Sequence, residues 1–179
     1  MVAPVPIRRA THDDVTAVVA LVESAYRGDA SRAGWTTEAD LLGGRRTDAT
    51  DVRACLDRAH SQVLVADDGG RLVACAHVCV EDGAGYFGMF AVTPGLQRGG
   101  LGSAILAAAE QLVGESWGLP VMRMTVIDVR DELIAYYQRR GYARTGVHKP
   151  FPYGDERFGE PKRADLRFEV LEKVLRTDA

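Results

Sequence analysis

The chain has 179 residues, 46% of them hydrophobic and 26% charged, and carries a net charge of −3. That length suits one domain with a sizeable core and is short for two. The weakly acidic balance gives no electrostatic reason to expect nucleic acid as a partner, and no run of about 18 apolar residues offers a membrane span.

The opening MVAPVPIRRATHDD has no basic segment leading into a long apolar core, so it does not read as a secretion signal. A cytoplasmic location is the expectation. Cys55, Cys75 and Cys79 form no disulfide-like pattern, which agrees with a reducing compartment. VPIRRA reads as an edge strand with proline at its start. Thr11 then caps a helix whose apolar positions Val15, Val18, Val19, Val22 and Tyr26 follow the 3.6-residue period. GWTTEADLLGG predicts a short helix capped by Thr36 or Thr37 and stopped by Gly43-Gly44, and TDATDVRACLDRAH a further turn or two.

SQVLVADDGGRLVACAHVCVED is a hairpin, two apolar runs joined by Asp67, Asp68, Gly69 and Gly70. Cys75, His77 and Cys79 alternate within it and share one strand face. Three neighbours on one strand do not converge tetrahedrally and no CxxC partner follows, so a buried face is preferred to a metal site. AGYFGMFAVTP is the next strand, ended by Pro94. A helix follows with Leu101, Ile105, Ala108, Ala109 and Leu112 as its buried stripe.

LPVMRMTVID is a strand, and RDELIAYYQRR a short amphipathic helix stopped by Gly141 in a left-handed cap. YARTGVH and ADLRFEVLEK close the sheet. Between them KPFPYGDERFGEPKR is too rich in Pro, Gly and charge for regular structure. The order predicts a single α/β domain over residues 1–179, with a core from about 5 to 171. Its sheet is mixed: the hairpin must be antiparallel, and the strand–helix–strand unit from Tyr86 to Val126 parallel. The basic pairs Arg8-Arg9, Arg45-Arg46, Arg139-Arg140 and Lys162-Arg163 read as solvated surface.

Gly99, Gly100 and Gly102 crowd the start of the helix after Pro94. A helix N-terminus offers unpaired N–H groups and partial positive charge to an anion, and glycine admits the ligand without a Cβ in the way. Arg98 adds a full charge and Ser103 a hydroxyl. QRGGLG lacks the Lys-Ser/Thr ending of a nucleotide P-loop, so spacing alone leaves an anion site and a ligand-free tight connection both open.

Gln97, Gly100 and Gly102 resemble the fixed positions of the Gln/Arg-x-x-Gly-x-Gly/Ala acetyl-CoA loop of the GNAT-type N-acetyltransferases. Val92-Thr93-Pro94 is similar to that family's Val-x-Pro strand end, and Tyr137, Gly141 and Tyr142 to its aromatic-x-x-x-Gly-aromatic signature. The resemblance implies a mixed, mostly antiparallel sheet of about six to seven strands with helices on both faces. It also implies an acetyl group moved from acetyl-CoA to a primary amine by direct attack in a ternary complex, without a metal. The diphosphate would rest on Gln97, Arg98, Gly99, Gly100, Leu101, Gly102 and Ser103, and the pantetheine arm along Phe90, Ala91 and Val92.

One N–H of that strand would polarise the thioester carbonyl, and Tyr137 would donate to the departing sulfur. The places where some relatives carry a glutamate are Gly88, Met89 and Thr125 here, and the family's common asparagine is Arg130. That leaves His77, Glu81, Asp128 or His148 acting through water, or an amine that binds already neutral. Trp35, Phe151, Tyr153 and Phe158 would wall the acceptor pocket, with Glu38, Asp40, Asp155 and Glu156 drawing in a cation. The expected acceptor is a small-molecule amine. A peptide or protein amine, a longer acyl group, and a non-catalytic acyl-CoA sensor are the alternatives, and a homodimer is compatible with the chain.

Overall fold

A computed structural model describes residues 3–27, 37–44, 46–96, 99–155 and 159–175. Strand β1 (Ile7–Arg9) leads through a short 3-10 turn into α1 (Val15–Tyr26). Thr11 and Asp14 form a capping box there, with the Thr11 N–H donating to the Asp14 carboxylate at 2.8 Å. Then come β2 (Leu42–Gly43), α2 (Ala49–Asp57), β3 (Ser61–Asp68), β4 (Arg71–Glu81) and β5 (Ala84–Val92). Helix α3 (Leu101–Gln111) continues into a π-helical turn, followed by β6 (Val121–Ile127), α4 (Asp131–Gln138), β7 (Ala143–Pro150), β8 (Glu160–Pro161) and β9 (Arg167–Val174).

Seven strands form one sheet in the order β1-β3-β4-β5-β6-β9-β7. All pairs are antiparallel except β5–β6. Alternation along β4 divides the core. Ala74, Ala76 and Val78 pack beneath Ile105, Leu106 and Ala109 of α3 and Leu133 and Ile134 of α4. Cys75 faces the other way, beneath Val18 and Val22 of α1 and Val52 of α2. Cys75 and Cys79 are buried free thiols and Cys55 is partly buried.

Two expectations need correction. The helix read over GWTTEADLLGG is, in its described part, a single turn in which Leu41 and Leu42 donate to the Glu38 carbonyl. It stops because Leu42 and Gly43 pair with Pro161 and Glu160, forming a two-stranded ribbon. Its partner β8 lies inside the segment read as irregular, and β7 takes two further residues, Lys149 and Pro150, from the same segment. Tertiary pairing decides both cases over local propensity.

Candidate active site

Parallel β5 and β6 pair only at Gly85–Met122 and Tyr86–Arg123, whereas β6 and β9 pair over seven residues. Beyond Tyr86 the two strands therefore part, with the Tyr86 hydroxyl and the Thr125 hydroxyl bonded across the fork at 3.1 Å. The parted strands open onto a cavity of about 440 Å³. Phe87, Met89 and Phe90 of β5 line it, together with Thr125 and Ile127 of β6 and Tyr137 of α4.

On its other flank β5 is bulged. Met89 and Phe90 together oppose the single residue Ala76 of β4, and Met89 takes φ 48°. A left-handed angle at a residue with a side chain is costly, so neighbouring bonds must hold it. The Tyr26 hydroxyl donates to the Phe90 carbonyl, and the Cys75 thiol to the Met89 carbonyl at 3.6 Å. The bulge thus turns a stretch of main chain out of the ladder at the cavity wall.

Tyr137 reaches the same space from α4. Asp131 and Glu132 suit the first turn of this helix, Leu133, Ile134 and Tyr137 bury one side, and Gly141 (φ 96°) ends it. The Tyr137 ring packs among Phe87, Phe90 and Tyr142, with centroids 5.9 to 6.4 Å apart. Its hydroxyl makes no hydrogen bond to described residues and lines the cavity. Burial pushes this phenol well above its ordinary value of 10, so it stays a proton-bearing donor at neutral pH.

Helix α3 begins with Gly100 at φ 79°, and no side chain caps it. No described residue lies within 4 Å of where a Gly100 Cβ would sit, and the amides of Leu101 to Ser103 have no partner among the described residues. Gly102 faces the opposite way, contrary to the idea that every glycine here makes room for ligand. A Cβ on it would meet the Tyr136 hydroxyl at 2.8 Å and Phe90 Cζ at 2.9 Å. Beside this turn Arg140 stacks on the Tyr136 ring at 3.5 Å and donates to Ser103 Oγ from Nη2 at 2.7 Å.

Residues 59–144 match the acetyltransferase (GNAT) domain family. That span carries the sequence pattern of a GNAT acetyltransferase domain. No curated protein matches it at a significant level, but its fold recurs among solved structures. The ribosomal-protein-S18-alanine N-acetyltransferase from Escherichia coli superposes with a TM-score of 0.69 at 16% identity, covering 97% of this chain and 96% of that one. The ribosomal-protein-alanine N-acetyltransferase from Brucella melitensis gives 0.68 at 20% identity over 94% and 99%. Ard1 from Thermoplasma volcanium gives 0.68 at 18% identity over 96% and 98%.

Of the positions expected to serve the acetyltransferase, Tyr137, Phe90 and Phe151 line the cavity. Ala91 and Val92 are buried on opposite faces of the sheet. Gly99 and Gly100 are exposed at the open turn, and Leu101 packs partly against the core. Tyr153 stands apart from the cavity, bonding the Arg163 carbonyl and the Leu166 N–H through its hydroxyl, and Asp155 does not line it either. Gln97, Arg98, Trp35, Glu156 and Phe158 lie outside the described residues.

Of the four groups considered as base, only His77 lines the cavity. Glu81 and Asp128 pair with Arg58 and Arg167, and His148 is exposed on β7. The Ser61 hydroxyl lies 2.6 Å from the Cys55 carbonyl and 2.8 Å from His77 Nε2. Its single proton must go to the carbonyl, since two bare oxygens at that distance would repel. His77 Nε2 is then the donor and Nδ1 carries the free lone pair. Burial, with help from Arg58, lowers His77 to about 4, so the ring is neutral at pH 7.

Glu38, expected to draw in a cationic amine, is instead taken up by arginines that were not foreseen. Arg27 (end of α1), Arg46 (before α2) and Arg130 (the residue capping α4) all line the cavity, around the buried Glu38. Glu38 accepts from Arg27 at 2.5 Å and from Arg130 at 3.1 Å, one on each oxygen. Burial alone would push its carboxyl up, but Arg130, Arg46 and Arg27 hold it below its ordinary value. Arg46 and Arg130 also sit over the Tyr26 ring at 5.3 and 5.9 Å. In sequence, Arg46 looked like half of a surface pair and Tyr26 like a core position. The only signal was Arg130 standing where the family commonly has asparagine.

Proposed function

We infer that the protein moves an acetyl group from acetyl-CoA to the primary amine of a small molecule, by direct attack within a ternary complex in the cytoplasm. The observation that carries this is the convergence of the bulged β5 and the Tyr137 hydroxyl on one cavity, with an uncapped α3 N-terminus following β5. GNAT enzymes use acetyl-CoA as co-substrate, and the open turn at Gly100 fits its diphosphate. First-turn amides from Leu101 to Ser103 face phosphate oxygens without a competing cap. Arg140, held against Ser103, adds positive charge beside them. Acetyl-CoA supplies an activated thioester.

The chain's own groups do the rest. Main-chain amides freed by the bulge orient the pantetheine arm and polarise the carbonyl. The Tyr137 hydroxyl donates to the sulfur as negative charge builds there. A phenol raised so far is a weak acid, but a thiolate desolvated in the same cavity is also raised, which narrows the gap between them. His77 Nδ1 can receive a proton from the amine directly or through water. Its low pKa makes it a hydrogen-bond acceptor that orients the amine rather than a strong base.

A cavity of about 440 Å³ falls in the range of small-molecule sites, which favours a compact acceptor over a protein surface. The experiment is a thiol-release assay with acetyl-CoA and a library of amines, with mass spectrometry of the products. Binding of CoA without release for any amine would leave a sensor in place of an enzyme.

A further inference from the structure

We propose that the acceptor carries a carboxylate beside its amine, as a free amino acid does, and that Arg46 forms the subsite for it. The proposal rests on the acetyltransferase reading and adds the substrate class. Its first support is an imbalance of charge. Among the described residues, the guanidiniums lining the cavity are those of Arg27, Arg46 and Arg130, against the carboxylates of Glu38 and Asp51. Asp51 is exposed on α2, away from the buried group. Glu38 has given both oxygens to Arg27 and Arg130, and His77 is neutral. Glu23 accepts with one oxygen from the main-chain amides of Arg46 and Thr47 at 2.6 and 2.8 Å.

A sheltered cavity left with positive charge to spare draws an anion in. The second support is unsatisfied hydrogen bonding. The Arg46 guanidinium lines the cavity over the Tyr26 ring, and among the described residues no carboxylate oxygen lies within 4 Å of it, although Glu38 and Glu23 favour its charge from farther off. A planar guanidinium with N–H groups to spare matches the two oxygens of a carboxylate. The bulge lies beside this group, since the hydroxyl of the Tyr26 under Arg46 bonds the Phe90 carbonyl, so an amine next to the carboxylate would reach it. The same charge disfavours polyamines and lysine-rich chains, which is the reverse of a pocket built around Asp155 and Glu156.

The test pairs each of the twenty free amino acids with its carboxamide, and adds putrescine, spermidine and an acidic peptide with a free N-terminus. Acetyl transfer is measured for wild type, Arg46→Gln and Arg46→Lys, with circular dichroism and CoA titration confirming that each variant is folded. At least one amino acid should exceed its carboxamide by about ten-fold or more in kcat/KM. Arg46→Gln should erase that margin through KM, by about ten- to hundred-fold, and Arg46→Lys should keep part of it.

Equal use of carboxamides, or preference for polyamines or the peptide, overturns the proposal, as does a margin that survives in Arg46→Gln. Should no amine release thiol, calorimetry of the same pairs on CoA-loaded protein decides separately. Carboxylate-selective binding that Arg46→Gln abolishes sustains the subsite although the transferase reading has failed. No selective binding overturns it.

Discussion

Replacing Glu38 by Gln removes one negative charge from between two buried guanidiniums while changing the side-chain volume little. Glu38 is 8% exposed, and its partners Arg27 and Arg130 have side chains 5% and 8% exposed. Breaking a buried pair costs about 3–5 kcal/mol, because the remaining charges are left uncompensated. For a chain of this size each kcal/mol shifts Tm by about 2–4 °C, so a fall of about 6–20 °C is expected by differential scanning fluorimetry at pH 7. The sign of the pH dependence follows from the depressed carboxyl. Its contribution is complete above the ordinary value of 4.5 and is lost as pH falls through the lower folded value. The gap between wild type and variant should therefore narrow only in acid below about pH 4.5. A carboxylate-bearing ligand that enters the cluster should raise the Tm of Glu38→Gln more than that of wild type. A variant within about 2 °C of wild type at pH 7 would show that the cluster is not energetically coupled, and the charge argument would go with it.

Tyr137→Phe should lower the chemical rate by about 10²–10⁴-fold with CoA affinity within about two-fold; single-turnover kinetics beside a CoA titration read both. Gly102→Ala drives a methyl into the Tyr136 hydroxyl and Phe90, so a loss of about 1–3 kcal/mol in chemical denaturation is expected. Gly100→Ala meets no described residue, and the left-handed angle should set the cost, at about 1–2 kcal/mol. His77 is lowered from 6.5 to about 4, so the unfolded chain binds the extra proton and stability falls as pH drops from 6.5 toward 4. The loss is at most about 3 kcal/mol, and His77→Gln should flatten the denaturation midpoint across that window.

Elements with a strong period or a clear stop were legible in the sequence. The β3–β4 hairpin, the crossover through α3 and the short α4 ended by Gly141 all announce themselves in local pattern. The ribbon of β2 and β8 did not, because two residues pairing across more than a hundred positions leave no periodic trace. The site divides in the same way. Tyr137 and the turn at Gly100 belong to contiguous motifs. Arg27, Glu38, Arg46 and Arg130 come from four separate segments, and only folding shows that their charges meet. The purpose of Gly102 was also hidden: its spacing suggests ligand, while its surroundings are the Tyr136 hydroxyl and the Phe90 ring.

The sulfur chemistry of the chain has a practical side. Burial raises the Cys75 thiol to about 12 and the Cys79 thiol to about 11, and it raises Cys55 as well. Little thiolate exists on any of them at neutral pH. A chromogenic disulfide reagent added to a working reaction should therefore colour with the free coenzyme long before it colours with the folded protein, and a rise in the enzyme-only blank would report unfolding rather than turnover.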